Sequence, residues 1–378
     1  MFCSLTKERF IEEARRGLAV RSGRGDSSVA IPLGVRLLSD QLTPVLAYRR
    51  LVVQDQRSAP SFLFESVEGG ERQGRHSILG AHPVIEVVAR EHKVRTSDKR
   101  GQSWNTREFE DRDPLLVPSR LTAGLSLHVP ERRIGGAGDG PLPKCFLGGW
   151  AGFAGYDTVR YAEPEKLPFS SAPADDRKLP DMHFGFYDEV VIFDHVDKVA
   201  HVVRLVEATH AASDAALGEA YDNAVTALER TLAALQTHSK PLPAGVLDVG
   251  SRGAPGESNM TRERHGAMLD KAREYIKAGD IFQVVLGQRF ERRSKADPFD
   301  VYRALRAVNP SPYMAYMQCE GCILVASSPE ILCRVRRSPS PGAGAGGGFA
   351  SVPHSRPRSI VTNRPLAGTR RRGGTPEE

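Results

Sequence analysis

Cysteine is scarce: five occur in 378 residues, at Cys3, Cys145, Cys319, Cys322 and Cys333. So odd and sparse a set cannot staple a small secreted domain, which argues against a disulfide framework and for a reducing compartment. Long apolar runs are missing too. A membrane-spanning helix needs roughly 20 consecutive apolar residues, and every apolar stretch here is soon broken by a charge, so no membrane residence is expected. Nor is there an excess of one sign of charge: 52 basic and 46 acidic residues leave a net +6, too even for a nucleic-acid binder. The one concentrated excess is Arg370, Arg371 and Arg372. No apolar signal-peptide core opens the chain, and Thr6 to Gly17 reads as a capped helix instead. With 40% hydrophobic and 26% charged residues, the chain has ordinary globular composition. Its length suits two domains of roughly 100–200 residues each.

Extended segments dominate the first two hundred residues. Pro83–Val94 is rich in β-branched residues, and Glu189–Val206 reads as two strands around a turn at His195–Lys198. Arg95–Lys144, polar and rich in Pro and Gly, reads as loops and short elements. From Ser213 to Leu235 the apolar positions Leu217, Tyr221, Ala224, Val225, Leu228, Leu232 and Leu235 advance mostly by threes and fours, as in an amphipathic helix. These elements predict an α+β architecture whose first domain, residues 1–237, is a mixed, mostly antiparallel sheet with helices. A linker is expected over 238–259, where Pro, Gly and Ser collect without periodicity.

The second domain is expected over 260–378. Met268, Leu269, Ala272, Tyr275 and Ile276 form one helix face, closed by Gly279 at a left-handed cap. Ile281–Phe290 has the composition of a strand. Asp297 and Pro298 start a second helix with Val301, Leu305 and Val308 on one face, stopped at Asn309 and Pro310. Tyr313–Gln318 and Cys322–Ser327 flank a hairpin turn. Ser338–Ser359, built of Pro, Gly, Ser and Arg, cannot bury enough surface to offset its ordering entropy and is expected to be a disordered insertion.

Among chemistry-bearing features, Gln283 sits in an apolar segment, and Ser327-Ser328-Pro329-Glu330 places a carboxylate just after an apolar strand. Such a glutamate either works as an acid or base or complements a helix dipole, and composition leaves both open. The glycines of GGWAGFAGY (148–156) fit close strand packing better than a phosphate or dinucleotide loop. Cys319 and Cys322 lack the second pair that zinc requires, so no metal site is expected.

The strings GDIFQVVLGQRFERR (279–293), DPFDVYRALRAVNPSPYMAYM (297–317), GCILVASSPEIL (321–332) and NRPLAGTRRRG (363–373) resemble the chorismate-binding enzymes. Within that family they resemble the large subunits (component I) of anthranilate synthase, as do SDQLTPVLAYRRLV (39–52), SFLFESVEGGERQGRHSILG (61–80) and LPDMHFGFYDEVVIFDHVDK (179–198). The resemblance implies conversion of chorismate and glutamine-derived ammonia into anthranilate and pyruvate, the first committed step of tryptophan synthesis. It implies Glu330 as the acid that protonates the departing C4 hydroxyl, a poor leaving group without that proton. Gln283 stands where water-adding relatives carry a lysine base, which ammonia, already a nucleophile, does not need. The resemblance also implies Thr369 and Gly368 at the substrate ring, and Ala367 stands in place of the lysine often found in aminodeoxychorismate synthase component I, the alternative activity. A tryptophan effector site is implied at Glu65, Ser66, Asn309, Pro310, Ser311, Pro312, Tyr313 and Met314. There a carboxylate holds the inhibitor's ammonium while proline and methionine pack its indole.

Magnesium is implied as cofactor, because a divalent cation neutralises a chorismate carboxylate at the ring. The family's magnesium glutamates and active-site histidine align after Glu378, so these ligands are expected to be absent, the second domain incomplete and the chain inactive. A non-catalytic tryptophan-binding fragment is the competing reading. No glutaminase constellation is present, which implies a separate glutamine amidotransferase small (beta) subunit. Likeness to plant and algal members implies the plastid stroma, although no transit peptide precedes Met1.

Overall fold

The computed structural model describes residues 3–21, 27–53, 55–66, 74–100, 104–130, 142–237, 245, 256–337 and 359–362. Thr6 caps the first helix, its hydroxyl accepting from the Arg9 N–H at 3.3 Å, and α1 (Lys7–Arg21) follows. Phe10, Ala14 and Leu18 recur every fourth residue and are buried on its inner face. Next come β1 (Ser28–Leu38), α2 (Pro44–Leu51), β2 (Ser61–Glu65), β3 (His76–Ala81), β4 (Ile85–Arg90), β5 (Lys93–Asp98) and β6 (Asn105–Glu110). After them the chain forms α3 (Val117–Leu121), β7 (Leu125–Leu127), β8 (Gly149–Ala154), α4 (Val159–Ala162), β9 (Met182–Tyr187), β10 (Glu189–Asp194) and β11 (Val199–Thr209). The long helix α5 (Asp214–Gln236) begins at Ser213, whose hydroxyl accepts from the Ala216 N–H at 3.2 Å, and buries Leu217, Ala224, Leu228 and Leu235.

The remainder comprises β12 (Glu257–Ser258), α6 (Arg262–Ala278), β13 (Phe290–Glu291), α7 (Pro298–Val308), β14 (Tyr313–Cys319), β15 (Cys322–Ser328), β16 (Arg334–Arg337) and β17 (Ser359–Thr362). The chain divides into two compact units, one of Met1–Val246 with Asp297–Ser328 and one of Leu247–Ala296 with Pro329–Glu378. The first unit holds an eight-stranded sheet in the order β15-β14-β2-β3-β10-β11-β1-β7 and a five-stranded sheet in the order β6-β5-β4-β9-β8. Among the described residues only the β1/β7 pair is parallel, so the α+β reading with a mixed, mostly antiparallel sheet holds. Helices α1, α2, α5 and α7 share a core with one face of the larger sheet, where Ile31, Leu33, Val202, Leu228 and Phe299 are buried. Phe62, Tyr187, Ile192 and Met317 form a second cluster, and Val87, Val94 and Met182 of the smaller sheet a third. Full burial of one such side chain stabilises by about 1.5–3 kcal/mol.

Gly152 shows why GGWAGFAGY is glycine-rich: a Cβ there would stand 2.1 Å from the His183 carbonyl oxygen and 2.6 Å from Phe184 Cα. The β8 backbone is pressed against β9, as close strand packing requires.

Arg95–Lys144 carries short elements among its loops, as expected: β6 pairs with β5 over six residues although every one of its side chains is exposed. Three expectations change. Ile281–Phe290 is not a strand: a strand needs a ladder, and here only Ser258 and Glu257 pair, with Phe290 and Glu291. Its Phe282, Val284 and Val285 are exposed. On α6, capped by Thr261 and by Gly279 at φ 82°, only Ala272 of the expected face is buried, while Leu269, Tyr275 and Ile276 are exposed. On α7 the inner face is Phe299 and Tyr302 with part of Leu305, and Val301 and Val308 point outward, because the Phe299 ring stacks against Tyr48 and against Tyr302, which also packs on Tyr316.

The expected insertion falls outside the described residues up to 358, and Ser359 begins β17 in register with Arg337. Most of the expected linker also lies outside them, but Glu257 and Ser258 at its end form β12. No helix of the described residues is long and apolar enough to cross a membrane.

Candidate functional site

Glu65 closes β2, and the ladder sets it opposite Met314 of β14, which in turn opposes Ser327 of β15. On the other side β2 pairs with β3 as far as Phe64 opposite Ile78, so Ser77 follows as the neighbour of Glu65. Ser77 opposes Phe193, and Phe193 opposes Ala200. Opposed residues share a face, so one transverse row carries a serine, a methionine, a carboxylate and a second serine before it turns apolar.

Helix α7 lies over this row. Its start is fixed by Asp297, whose carboxylate accepts from the Phe299 N–H at 2.9 Å and from Arg49 at 3.1 Å. Tyr302 and Arg306 are four residues apart and meet one partner. The Tyr302 hydroxyl donates to Glu65 Oε2 at 2.7 Å, and Arg306 Nη2 donates to Oε1 at 3.0 Å. Arg306 Nε stands 2.7 Å from Oε2, off the hydrogen-bond direction. Glu65 is only 5% exposed, and a carboxylate so buried is tolerable because both oxygens are met and a guanidinium balances the charge. Burial, then the Glu65 charge, raises the Tyr302 phenol far above its ordinary range. Tyr302 therefore stays a proton donor.

Beyond Ser77, its hydroxyl lies 2.7 Å from His195 Nε2. Burial lowers the pKa of His195 and outweighs the pull of Glu65, and it lowers His76 and His201 in the same way. Burial also pushes the Asp194 carboxyl up, yet hydrogen bonds from Arg75 and from the Asp197 and Val196 N–H groups bring it down to about 2.

A second buried polar group sits where the β14/β15 turn meets the five-stranded sheet. The Glu320 N–H donates to His183 Nδ1 at 3.0 Å, which leaves the imidazole proton on Nε2. That nitrogen is buried without a hydrogen-bond partner, and Glu86 Oε2 is 3.9 Å away. The Glu320 carboxylate is held by Arg95, with Arg90 at 3.8 Å. Burial holds the His183 imidazole down to about 4 and raises the Glu86 carboxyl.

The sequence-expected residues are distributed unevenly. Glu65 and Met314 are adjacent and buried, and Ser311 is 4% exposed with a hydroxyl that has no hydrogen-bond partner. Ser66 and Pro312 are half-buried, whereas Asn309, Pro310 and Tyr313 are exposed. The Asn309 carbonyl accepts from the Ser327 hydroxyl at 2.7 Å. In the second unit Gln283 and Glu330 are both exposed on irregular segments. Ala367, Gly368 and Thr369 lie outside the described residues, as do Arg370, Arg371 and Arg372. Tyr302 and Arg306, which engage Glu65, were not singled out in the sequence. The signal that could have found them is a tyrosine and an arginine at helical spacing just after a capped start. Cys319 and Cys322 oppose each other as free thiols. Among the described residues no three His, Cys, Asp or Glu side chains gather as metal ligands, so those residues do not fit a magnesium ion.

The chorismate binding enzyme family matches residues 60–342. The chain is 47% identical to anthranilate synthase alpha subunit 1, chloroplastic, of Arabidopsis thaliana over 356 residues, 92% of this chain and 54% of that protein. It is 48% identical to the protein of the same name from Oryza sativa subsp. indica over 366 residues, covering 95% and 57%. Anthranilate synthase component 1 of Acetivibrio thermocellus is 34% identical over 351 residues, covering 92% and 61%. The chain thus spans about half the length of the plant relatives it matches.

Proposed function

The chain belongs to the chorismate-binding enzymes, and on that footing we propose that it is large-subunit sequence of an anthranilate synthase, forming anthranilate, pyruvate and water from chorismate and ammonia. The observation that carries this is the 47–48% identity with plant alpha subunits, sustained over more than nine-tenths of the chain. Glu330 would deliver a proton to the departing C4 hydroxyl, which leaves as water. Gln283, uncharged and without basicity, suits a path for ammonia and not the activation of water. Thr369 would sit at the ring, with Gly368 admitting backbone close to it. Ammonia would come from a glutamine amidotransferase small subunit. Because the plant relatives are chloroplastic, the plastid stroma is the proposed location.

Tryptophan is the proposed inhibitor, held in the first unit. Its ammonium would take a lone pair of Glu65 that Tyr302 and Arg306 leave available, and Met314 would pack its ring. The unpartnered Ser311 hydroxyl supports a polar ligand group there. Magnesium would help bind chorismate through ligands other than the described residues, and no step is assigned to it.

A second reading, a tryptophan-binding protein without turnover, is favoured by one contrast: Glu65 is buried and engaged, whereas Gln283 and Glu330 stand exposed. One experiment separates the two. The protein is mixed with chorismate, magnesium chloride and ammonium chloride, anthranilate is followed by its fluorescence, and tryptophan is titrated in. Anthranilate formation that tryptophan suppresses supports the first reading. An aminated chorismate without anthranilate indicates aminodeoxychorismate synthase instead. Saturable tryptophan binding with no product indicates the effector-only protein.

A further inference from the structure

A cavity of about 240 Å³ opens between α2, the end of β3, the start of β10 and the last turns of α5, all within the first unit. Its floor is apolar, formed by Leu51, Leu79 and Val191. Its rim is cationic, and the accounting of charge there is uneven. Glu189, the one carboxylate on the rim, is already engaged: Arg204 donates to Oε2 at 3.1 Å and the Thr231 hydroxyl donates to Oε1. Arg50 donates through Nη1 to the Leu235 carbonyl, yet its Nε is buried with no hydrogen-bond partner. Arg230 is exposed on the rim and has no hydrogen bond or ion pair among the described residues. Leaving a charged donor buried and unmet costs free energy that a ligand can recover.

From these residues we infer a binding site for a small carboxylate carrying an apolar body of about one ring. The carboxylate would accept from Arg50 Nε and Arg230, a geometry guanidinium groups serve well, while the body would cover Leu51, Leu79 and Val191. The volume is below the roughly 300–1,000 Å³ of drug-sized sites, which excludes nucleotides. Inorganic phosphate would meet the arginines but leave the apolar floor uncovered, so the carboxylate is the better fit.

The test titrates benzoate into the full chain and into Arg230→Gln and Ala234→Leu, with inorganic phosphate in a parallel series, read by ligand-observed NMR. Arg230 has no hydrogen bond or ion pair among the described residues for its loss to break, and Ala234→Leu narrows the cavity without touching a charge. Thermal melts confirm that each variant folds. Saturable benzoate binding that weakens about tenfold or more in Arg230→Gln, and is lost in Ala234→Leu, supports the site. Equal binding by wild type and both variants places benzoate elsewhere and overturns the inference. Binding of phosphate but not benzoate overturns the ligand class, and binding of neither overturns the site.

Discussion

Replacing His183 by Asn should flatten the dependence of stability on pH between about 6.5 and 4. In the folded chain His183 accepts from the Glu320 N–H, its other nitrogen is sealed from water, and its side chain is only 3% exposed. Burial is the main reason its pKa lies at about 4 against an ordinary 6.5. The sign follows from which state takes the proton. Above pH 6.5 both states are neutral and the group contributes no pH dependence. Below 6.5 the unfolded chain binds a proton that the folded chain refuses, so stability falls with pH until about pH 4. That gap corresponds to about 3 kcal/mol, and deep burial removes the need to discount it for solvent screening. The Asn Oδ1 can stand where Nδ1 does, so the bond from Glu320 is kept while the titration is removed. Glu86, whose raised carboxyl works in the opposite direction, is present in both proteins, as are His76, His195 and His201. The assay is urea denaturation at half-unit steps from pH 4 to 7.5, followed by fluorescence of Trp150, which lies in the same five-stranded sheet. Wild type should lose about 3 kcal/mol more than His183→Asn over that interval. Parallel curves would refute the claim that a buried neutral imidazole controls acid sensitivity here.

Tyr302→Phe removes the hydrogen bond to buried Glu65 and should cost about 1.5–3 kcal/mol in urea stability, with tryptophan affinity altered in parallel. Gly152→Ala sets a methyl group against β9 backbone that cannot give way, so a loss of about 3 kcal/mol or failure to fold is expected, checked by soluble yield and thermal melting. Leu228→Ala on α5 opens a cavity in the main core and should cost about 2–5 kcal/mol in the denaturation midpoint. A loss below about 1 kcal/mol would mean that α5 contributes little to that core.

Elements with their own periodicity and caps were legible from sequence. Ser213 and the three-and-four spacing of Leu217, Ala224 and Leu228 define α5, and Gly279 marks the end of α6. The two strands around His195–Lys198 likewise matched β10 and β11. What failed, or was left unspecified, depended on partners distant in sequence. NTREFE in β6 has no apolar alternation, and only its ladder with β5 makes it one of the short elements expected there. Ile281–Phe290 has the right composition but acquires no ladder. On α7 the apolar pattern pointed to Val301 and Val308, while ring packing against Tyr48 and Tyr316 turned Phe299 and Tyr302 inward. At the candidate effector site, Glu65 and Met314 came from resemblance. The residues that hold Glu65 became visible only when α7 was seen lying over β2.

The order in which the larger sheet can be completed follows from the split of the first unit into Met1–Val246 and Asp297–Ser328. Strand β14 lies between β2 and β15, and its Tyr316 packs on Tyr48, so β2 has no second neighbour until synthesis has passed Cys319. A ribosome adding roughly 5–20 residues per second leaves the edge of β2, with Phe62 and Leu63, uncovered for several seconds after α5 has emerged. During that interval the nascent chain presents a hydrophobic strand edge suited to chaperone capture or to mispairing with a second copy. Later, in the finished molecule, a nick within residues 247–296 would not free the C-terminal hairpin, because its strands are hydrogen-bonded into the N-terminal sheet.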